Sequence, residues 1–446
     1  MRIDVHKLAD EAQFNRFHAL VLFWGVLILV LDGYDLAVVG AAMPSIMKDM
    51  NVDASQAGFM ASSALFGMMI GSMTMGVLAD KIGRPLMISL CVGLFSVFTA
   101  AAGLTSDPVT FSITRFLAGL GIGGVVPGIT AQMAEFAPTK LRARLVTIVF
   151  AGYSIGGVLV ALTGKQLILE HGWQSVFFLA ITPVVLIPFI LKTMPESLPT
   201  LIKKGRTEEI RKIVGKILPE RQFTGKEEFV VPHEDEVTSA PVSHLFSEGR
   251  AFSTLMIWTA FFMGLFMVYA LSSWLTKLMA MAGYSLGSAL NFVLVFNIGA
   301  ICGAVGGGWL GDKYNIKHVL VIFYLLGAIS LTLMGFTQST ELLFVVVFVV
   351  GASTLGTQLL AYAYAGEFYP TSIRATGVGF ASGVGRMGAI IAPVLIGFVV
   401  AMKLPLEQNF MVIGAAGLLG TLAVTLINHR LCASTHHYDA AKDENV

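Results

Sequence analysis

The chain has 446 residues, of which 55% are hydrophobic and 13% charged, and its formal net charge is +1. Soluble globular proteins carry about 25% charged residues, so this composition excludes an ordinary soluble domain and indicates a membrane protein with several spans. The small net charge argues against a nucleic-acid partner. The three cysteines, Cys91, Cys302 and Cys432, are scattered and predict neither a metal site nor a disulfide framework.

Twelve apolar runs, each long enough to cross a bilayer as a helix, follow one another along the chain and are numbered here as spans 1 to 12. Six of them lie at residues 19–43, 56–78, 86–104, 109–132, 143–166 and 172–193, and six more at residues 251–274, 284–309, 318–336, 341–364, 375–401 and 409–428. The predicted fold class is therefore all-α, with two six-helix bundles at residues 1–193 and 251–428. A cytoplasmic loop, residues 194–250, joins the bundles, and residues 429–446 form a cytoplasmic tail.

Lysine and arginine predict the orientation of these spans. They are concentrated in the termini and in the loops on the same side, whereas the opposite loops hold only Lys48, Lys165, Lys277 and Lys403. By the positive-inside rule both termini are cytoplasmic, and the protein is expected in the inner or plasma membrane. Within the central loop, residues 202–218 are basic with helical apolar spacing, which predicts an amphipathic helix along the membrane surface.

Two carboxylates, Asp32 and Asp35, interrupt the middle of span 1. Their spacing places both on one helix face about one turn apart. An ionised Asp at the centre of a membrane helix costs about 2.5–3.5 kcal/mol on the insertion scale, so we expect the pair to be functional and to take part in proton coupling. The alternative is a structural role, with the acids paired to a buried base. Gly33, between them, predicts space for a ligand to approach closely.

Arg115 in span 4 lies at a similar depth and is long enough to reach Asp35. Two interpretations of such a pair remain open. The pair is either a permanent lock between spans 1 and 4, or a switch in which protonation of Asp35 releases Arg115. Arg115 is therefore the third predicted proton-coupling residue, beside Asp32 and Asp35.

Arg386 lies about eleven residues into span 11, flanked by Gly383, Gly385 and Gly388. A guanidinium at that depth needs an anion, and its planar fork matches a carboxylate in bidentate fashion. We therefore predict that Arg386 binds a substrate carboxylate; the alternative is a counter-ion for Asp32. Polar residues at mid-depth complete the predicted substrate site, which comprises Arg386, Asp32, Asp35, Asn297, Gln358 and Tyr362.

Two motifs recur along the chain with one offset. The motif at residues 76–84 is repeated in part from residue 308, and the motif at 135–143 from residue 367, so both pairs are offset by 232. The two halves are thus repeats in the same orientation, as expected of a transporter that moves one half against the other. The motifs predict a cytoplasmic gate formed by Gly76, Asp80, Lys81, Gly83, Arg84, Glu135, Arg142, Asp312, Lys313, Glu367 and Arg374. The alternative is a topology signal on a solvated turn.

These motifs carry a family resemblance. The Gly-x-x-x-Asp-Lys-x-Gly-Arg loop at 76–84 resembles the signature of the major facilitator superfamily, and residues 115–124 resemble the superfamily's helix 4 motif. Pro195-Glu196-Ser197 resembles the end of helix 6 in sugar and organic-acid branches, and Asp32-Gly33-Tyr34-Asp35 resembles the aromatic acid:proton symporter family. The second loop departs from the signature, with Tyr314-Asn315-Ile316-Lys317 in place of Gly-Arg, so weaker or different gate contacts are expected there.

The resemblance and the residues together imply a transporter and not an enzyme. The expected activity is proton-coupled uptake, by alternating access, of a small aromatic carboxylate such as benzoate or a hydroxybenzoate. The energy source is the proton gradient, no cofactor or metal is expected, and the protein is expected to be a monomer in the lipid bilayer. The alternatives are a porter for another organic acid or for a sugar or polyol, and an exporter of organic acids or drugs.

Overall fold

The computed structural model describes residues 2–4, 12–138, 141–219, 228–230, 242–370 and 373–432. Twelve helical segments in this part of the chain are long and apolar enough to cross a membrane, which confirms the all-α fold class. Spans 1 to 5 are the helices Arg16–Asp49, Ala54–Ile82, Arg84–Ala102, Pro108–Phe136 and Arg142–His171. Spans 7 to 12 are Ala251–Met281, Leu286–Lys313, Ile316–Phe336, Thr340–Phe368, Arg374–Ala401 and Leu406–Leu426. From residue 433 on, the predicted tail lies outside the described residues.

Span 6 is not the single helix that its apolar run predicts. It consists of a helix at Gln174–Leu179, a 3-10 helix at Thr182–Leu186 and a second helix at Ile187–Thr193. Pro183 and Pro188 stand in the first turns of the second and third pieces. Proline lacks an amide hydrogen and clashes with the preceding turn, so it is accommodated most easily in the first turn of a helix.

The segment after span 6 contains the helices Leu198–Lys203 and Thr207–Ile217, strand β2 at Glu228–Val230 and a 3-10 helix at Val242–Phe246. Strand β1, Arg2–Asp4, pairs in parallel with β2, and Arg2 lies opposite Glu228. The helix Thr207–Ile217, called the loop helix below, buries Ile210, Val214 and Ile217, which share one face. This apolar face is therefore covered by protein and is not free to insert into a membrane surface.

The chain packs as two compact units. The first comprises Met1–Val38, Phe66–Leu159 and Gln174–Val237, and the second comprises Val39–Leu65, Val160–Trp173 and Thr238–Val446. The second unit thus includes the ends of spans 1, 2 and 5 on the side away from the N-terminus. This grouping by packing differs from the two halves defined by the sequence repeat.

Backbone contacts explain why those ends belong to the second unit. A Cβ at Gly40 in span 1 would lie 1.8 Å from the Ser272 carbonyl oxygen of span 7, and a Cβ at Gly58 in span 2 would lie 2.5 Å from the Pro393 oxygen of span 11. The Ser62 hydroxyl also donates to the Ile390 oxygen at 2.6 Å. Glycine permits helix backbones to meet at these distances, as is usual where membrane helices associate closely.

Candidate functional site

The centre of the first unit holds a buried ion pair between spans 1 and 4. The Arg115 guanidinium donates to Asp35 Oδ2 at 3.1 Å and to Oδ1 at 3.2 Å, and both side chains are 1% exposed. A second guanidinium nitrogen donates to the Asp35 carbonyl oxygen at 3.0 Å, and Thr99 Oγ1 of span 3 accepts another hydrogen bond. The depths of the two residues in their spans predicted this contact, whereas no sequence pattern predicted Thr99.

The remaining acid of the pair, Asp32, is fully buried in span 1. Gly33 was expected to leave space for a ligand. It does not, because a Cβ there would lie 2.1 Å from the Tyr153 carbonyl oxygen of span 5. Span 5 contributes Gly156 to the same crossing, where a Cβ would meet the Val30 oxygen at 2.3 Å. The backbone of span 5 therefore occupies the position next to the acids.

Arg386 lies in the middle of span 11, in the second unit, and is half-buried. The part of this unit that the structure describes offers its guanidinium neither a hydrogen-bond nor an ion-pair partner. Its neighbouring glycines have a packing role, because a Cβ at Gly388 would lie 2.3 Å from the Phe262 oxygen and one at Gly385 would lie 2.8 Å from Leu265 Cδ1. Spans 7 and 11 thus make close contact next to Arg386.

Polar side chains of spans 10 and 11 accompany Arg386. The Tyr362 hydroxyl and Ser382 Oγ are hydrogen-bonded at 2.7 Å, and Ser382, four residues before Arg386, shares its helix face. The Tyr362 ring packs edge-on against Phe261 of span 7, with 4.9 Å between the centroids. Sequence reasoning missed Ser382, although the i, i+4 spacing from Arg386 was a usable signal.

Two further predicted site residues of the second unit behave differently from each other. Gln358, one turn before Tyr362, is buried, and neither polar atom of its amide has a hydrogen-bond partner among the described residues. A buried amide without partners is costly, so such a group requires water or a ligand. Asn297 instead donates to the Val293 oxygen of its own helix at 2.9 Å, which occupies its amide nitrogen.

The predicted gate residues of the first half form a network around Glu135, at the end of span 4. Its carboxylate pairs with the Arg84 guanidinium, and it accepts hydrogen bonds from the Ser197 hydroxyl at 3.0 Å and the Leu198 amide at 2.5 Å. Glu196 accepts from the Arg84 and Ser197 amides, each at 2.9 Å. The sequence motif named Glu196 and Ser197 but did not indicate that they bridge spans 3, 4 and 6.

The other first-half gate residues are placed around this network. Gly83 has a φ of +102°, and a Cβ there would lie 2.0 Å from the Glu196 carboxylate, so glycine is required for both reasons. Arg142 donates to the Ala137 oxygen at 3.5 Å, and Lys81 is exposed. The side chain of Asp80 lies outside the described residues. A Cβ at Gly76 would meet no described atom within 4 Å.

The second-half copy of this network lacks its central ion pair. Asp312, Lys313, Glu367 and Arg374 are exposed, and among the described residues Glu367 has no cation in ion-pairing distance. The offset of 232 that relates Glu135 to Glu367 relates Arg84 to Ile316, which is apolar and buried. Lys313 instead lies over the Trp309 ring at 5.0 Å. The contacts around the degenerate second loop thus differ from those around the first.

Comparison with known proteins agrees with this architecture. A family model described as Major Facilitator Superfamily matches residues 25–307 and 293–431. A solved structure of the xylose transporter of Escherichia coli, partially occluded and inward open, shares the fold with a TM-score of 0.71 and 18% identity, over 92% of this chain and 97% of that one. The chain is therefore a multi-pass transporter and not an enzyme, and it belongs to the major facilitator superfamily.

Several relatives share more of the sequence over nearly their whole length. The benzoate transport protein of Acinetobacter baylyi is 41% identical over 434 residues, which cover 96% of this chain and 93% of that protein. A 4-hydroxybenzoate transporter of the same organism is 35% identical over 405 residues, or 89% and 88% of the two chains. A gallate transporter of Pseudomonas putida is 32% identical over 97% of each chain. The resemblance drawn from the motifs is thereby confirmed.

Proposed function

We propose that this protein carries a small aromatic carboxylate, such as benzoate or a hydroxybenzoate, into the cell together with protons. The observation that carries the proposal is Arg386, a half-buried guanidinium in mid-span for which the described residues of its own unit provide no anion. A cation at that depth is costly unless an anion neutralises it. The relatives that share most of the chain are named for transport of benzoate, 4-hydroxybenzoate and gallate, all of them aromatic carboxylates.

In this proposal the substrate carboxylate takes two parallel hydrogen bonds from Arg386. Ser382 and Tyr362 lie on the same side and provide hydroxyl groups for the carboxylate or for a ring substituent. Gln358 supplies an amide with unused hydrogen-bonding capacity. The Phe261 ring, against Tyr362, provides the apolar surface for an aromatic substrate.

Proton coupling is assigned to the acids of span 1. The Asp35 carboxylate is neutralised by Arg115. The Arg115 guanidinium also donates to the backbone carbonyl oxygen of Asp35 and to Thr99 Oγ1. These additional contacts survive protonation of Asp35, which favours the permanent lock over the switch. Asp32 lies one turn away, and a second negative charge beside the pair is unfavourable in a buried site. Asp32 is therefore the carboxyl that takes up and releases the transported proton.

The energetics favour such coupling. A membrane potential that is negative inside opposes the entry of a monoanion by about 2.3 kcal/mol per 100 mV. One proton carried with each anion removes this term, so the pH gradient alone drives uptake and no cofactor is needed. The network of Arg84, Glu135 and Glu196 then serves as the cytoplasmic latch, with both termini on that side of the membrane.

The experiment that tests this function is uptake of labelled benzoate into vesicles that contain the purified protein. An imposed pH gradient, acidic outside, is expected to drive accumulation, and a protonophore that collapses the gradient is expected to abolish it. Arg386→Gln should abolish uptake while Arg386→Lys retains a part of it, because lysine keeps the charge and loses the bidentate geometry. Full uptake by Arg386→Gln would refute the substrate site, and uptake indifferent to the protonophore would refute the coupling.

The fold alone is compatible with a sugar substrate, because the solved xylose transporter has the same fold. A neutral sugar has no use for the charge of Arg386. Competition of labelled benzoate by unlabelled hydroxybenzoates but not by sugars is the expected result. An exporter is distinguished by the direction of transport. In the same vesicles it would release preloaded benzoate in exchange for protons that enter down their gradient.

A further inference from the structure

A groove of about 970 Å³ opens in the first unit where spans 1, 3 and 6 end on the side of the N-terminus. The loop helix forms its outer wall with the face that includes Lys212, Ile213 and Lys216. This face lies beside the buried one, which holds Ile210 and Val214. The groove is thus enclosed by membrane spans on one side and by a water-exposed helix on the other.

Basic side chains from three elements converge on this groove. They come from the start of span 1, the end of span 6 and the loop helix, and they are Arg16, Lys192, Lys212 and Lys216. All four are exposed, and within the described part of the chain no carboxylate lies in ion-pairing distance of any of them. The groove therefore has a positive rim that the described protein does not neutralise.

The two carboxylates in the groove wall are already engaged. Glu196 accepts the backbone amides of Arg84 and Ser197. Glu209 pairs with Arg206 at 3.1 Å on the rim. Glu209 is thus paired with a cation, whereas Glu196 keeps its charge; four basic side chains against this one carboxylate leave the groove positive and complementary to an anion.

The floor of the groove is apolar and continues into the membrane-facing surface. Leu20 of span 1 is 37% exposed, and Phe23, about one turn deeper, is 55% exposed. Leu86 of span 3 is 48% exposed, and Leu90, one turn deeper, is 41% exposed. A free phosphate would use only the basic rim, whereas a molecule with a phosphate and acyl chains would use the rim and both apolar tracks.

We propose that this groove binds the headgroup and upper acyl chains of an anionic phospholipid from the membrane leaflet on the side of the N-terminus. Basic pockets between spans at a membrane surface suit such headgroups, each basic residue contributing attraction to the phosphate. The long lysine stems lie along apolar surface while their ammonium groups reach the headgroup. This site is independent of the substrate site, which lies in the other unit.

The lipid would also connect separate parts of the chain. The Asn15 amide donates to the Lys216 and Ile217 oxygens at 3.0 and 3.1 Å, which fastens the end of the loop helix to the start of span 1. A phosphate bound by Arg16, Lys192 and Lys212 adds span 6 to this junction. Lipid binding should therefore stabilise the protein against thermal unfolding.

The test is native mass spectrometry and thermal unfolding of the purified full chain, titrated with phosphatidylglycerol or with phosphatidylcholine of the same acyl chains. The variant Lys192→Gln/Lys212→Gln removes two groove charges. Each charge is worth about a fivefold change in affinity, so phosphatidylglycerol should bind about 30-fold more weakly. The control Lys203→Gln/Lys204→Gln makes the same change in net charge on the neighbouring helix outside the groove, and its affinity should change less than twofold.

A second variant tests the apolar part of the site. Leu20→Gln/Leu86→Gln keeps the basic rim and should weaken phosphatidylglycerol binding while any effect of inorganic phosphate on Tm stays unchanged. Equal loss in the charge variant and its control, or equal binding of phosphatidylcholine, would overturn the proposal. Inorganic phosphate that raises Tm as much as phosphatidylglycerol would show a free-phosphate site and would also overturn it. All of the substituted side chains are exposed, and a monodisperse elution profile checks that each variant is folded.

Discussion

Removal of Arg115 is the most direct perturbation of the first unit. In Arg115→Gln the Asp35 carboxylate, 1% exposed, loses the cation that lies 3.1 Å away. An uncompensated buried charge costs about 3–5 kcal/mol, which at roughly 2 °C per kcal/mol corresponds to a fall in Tm of about 6–10 °C. The double variant Asp35→Asn/Arg115→Gln buries no charge and should recover at least half of that fall, because the groups that remain can still hydrogen-bond.

The assay is thermal unfolding of the detergent-purified protein, with the two single variants and the double variant completing a double-mutant cycle. Arg206→Gln is the matched control, since its pair with Glu209 has the same 3.1 Å distance but side chains that are 58% and 48% exposed. Exposed pairs contribute about 0–1 kcal/mol, so the control should shift Tm little. If Arg115→Gln lowered Tm no more than Arg206→Gln, the idea of a structural lock between spans 1 and 4 would be abandoned.

Three other predictions concern the acids, the helix crossing and the gate. Asp32→Asn should keep the wild-type Tm yet lose the dependence of uptake on the pH gradient, while exchange of labelled for unlabelled benzoate continues; gradient-driven accumulation at the wild-type level would contradict the assignment. Gly33→Ala should lower the free energy of unfolding by about 1–3 kcal/mol through overpacking against span 5. Gly306→Ala, where a Cβ meets no described atom within 4 Å, should leave Tm unchanged or raise it. Equal effects of the two variants on Tm would contradict the packing argument. Glu135→Gln should lower Tm more than Glu367→Gln, because only Glu135 has an arginine partner among the described residues; Tm measurements that reverse this order would show that the second-half residue has the structural role.

The sequence predicted those features that follow from length, periodicity and repetition. The twelve spans follow from the length of the apolar runs, the repeat follows from two motifs with one offset, and the reach of Arg115 to Asp35 follows from depth along helices of fixed rise. The break in span 6 at Pro183 had a local signal as well, but a hydropathy average is insensitive to a single residue. The contact of Gly33 with span 5 had no such signal, because it depends on which helices cross and at what height.

Residue type alone also left the partners of Arg386 undetermined. A mid-span arginine predicts an anion, but only coordinates could show that the described residues of its own unit hold no fixed partner for it. The same holds for Ser382, which becomes part of the site through its hydrogen bond to Tyr362. Polar contacts between distant spans depend on how each helix is rotated about its axis. A span that is apolar on every face gives no sequence pattern from which that rotation can be determined.

The two halves share the sequence repeat but differ at the candidate site residues. At the offset of 232, Asp35 and Arg115 correspond to Met267 and Val347, and Arg386 corresponds to Ser154. The half that keeps a buried ion pair thus has no counterpart of the unpaired cation, and the half with the cation has no counterpart of the pair. In the proposed mechanism the proton-loading Asp32 and the anion-binding Arg386 belong to separate units, and movement of one unit against the other would couple them, because the ligand and the proton then bias the same equilibrium. If both groups lay in one rigid unit, their coupling would need only local electrostatics, and alternating access would not connect them.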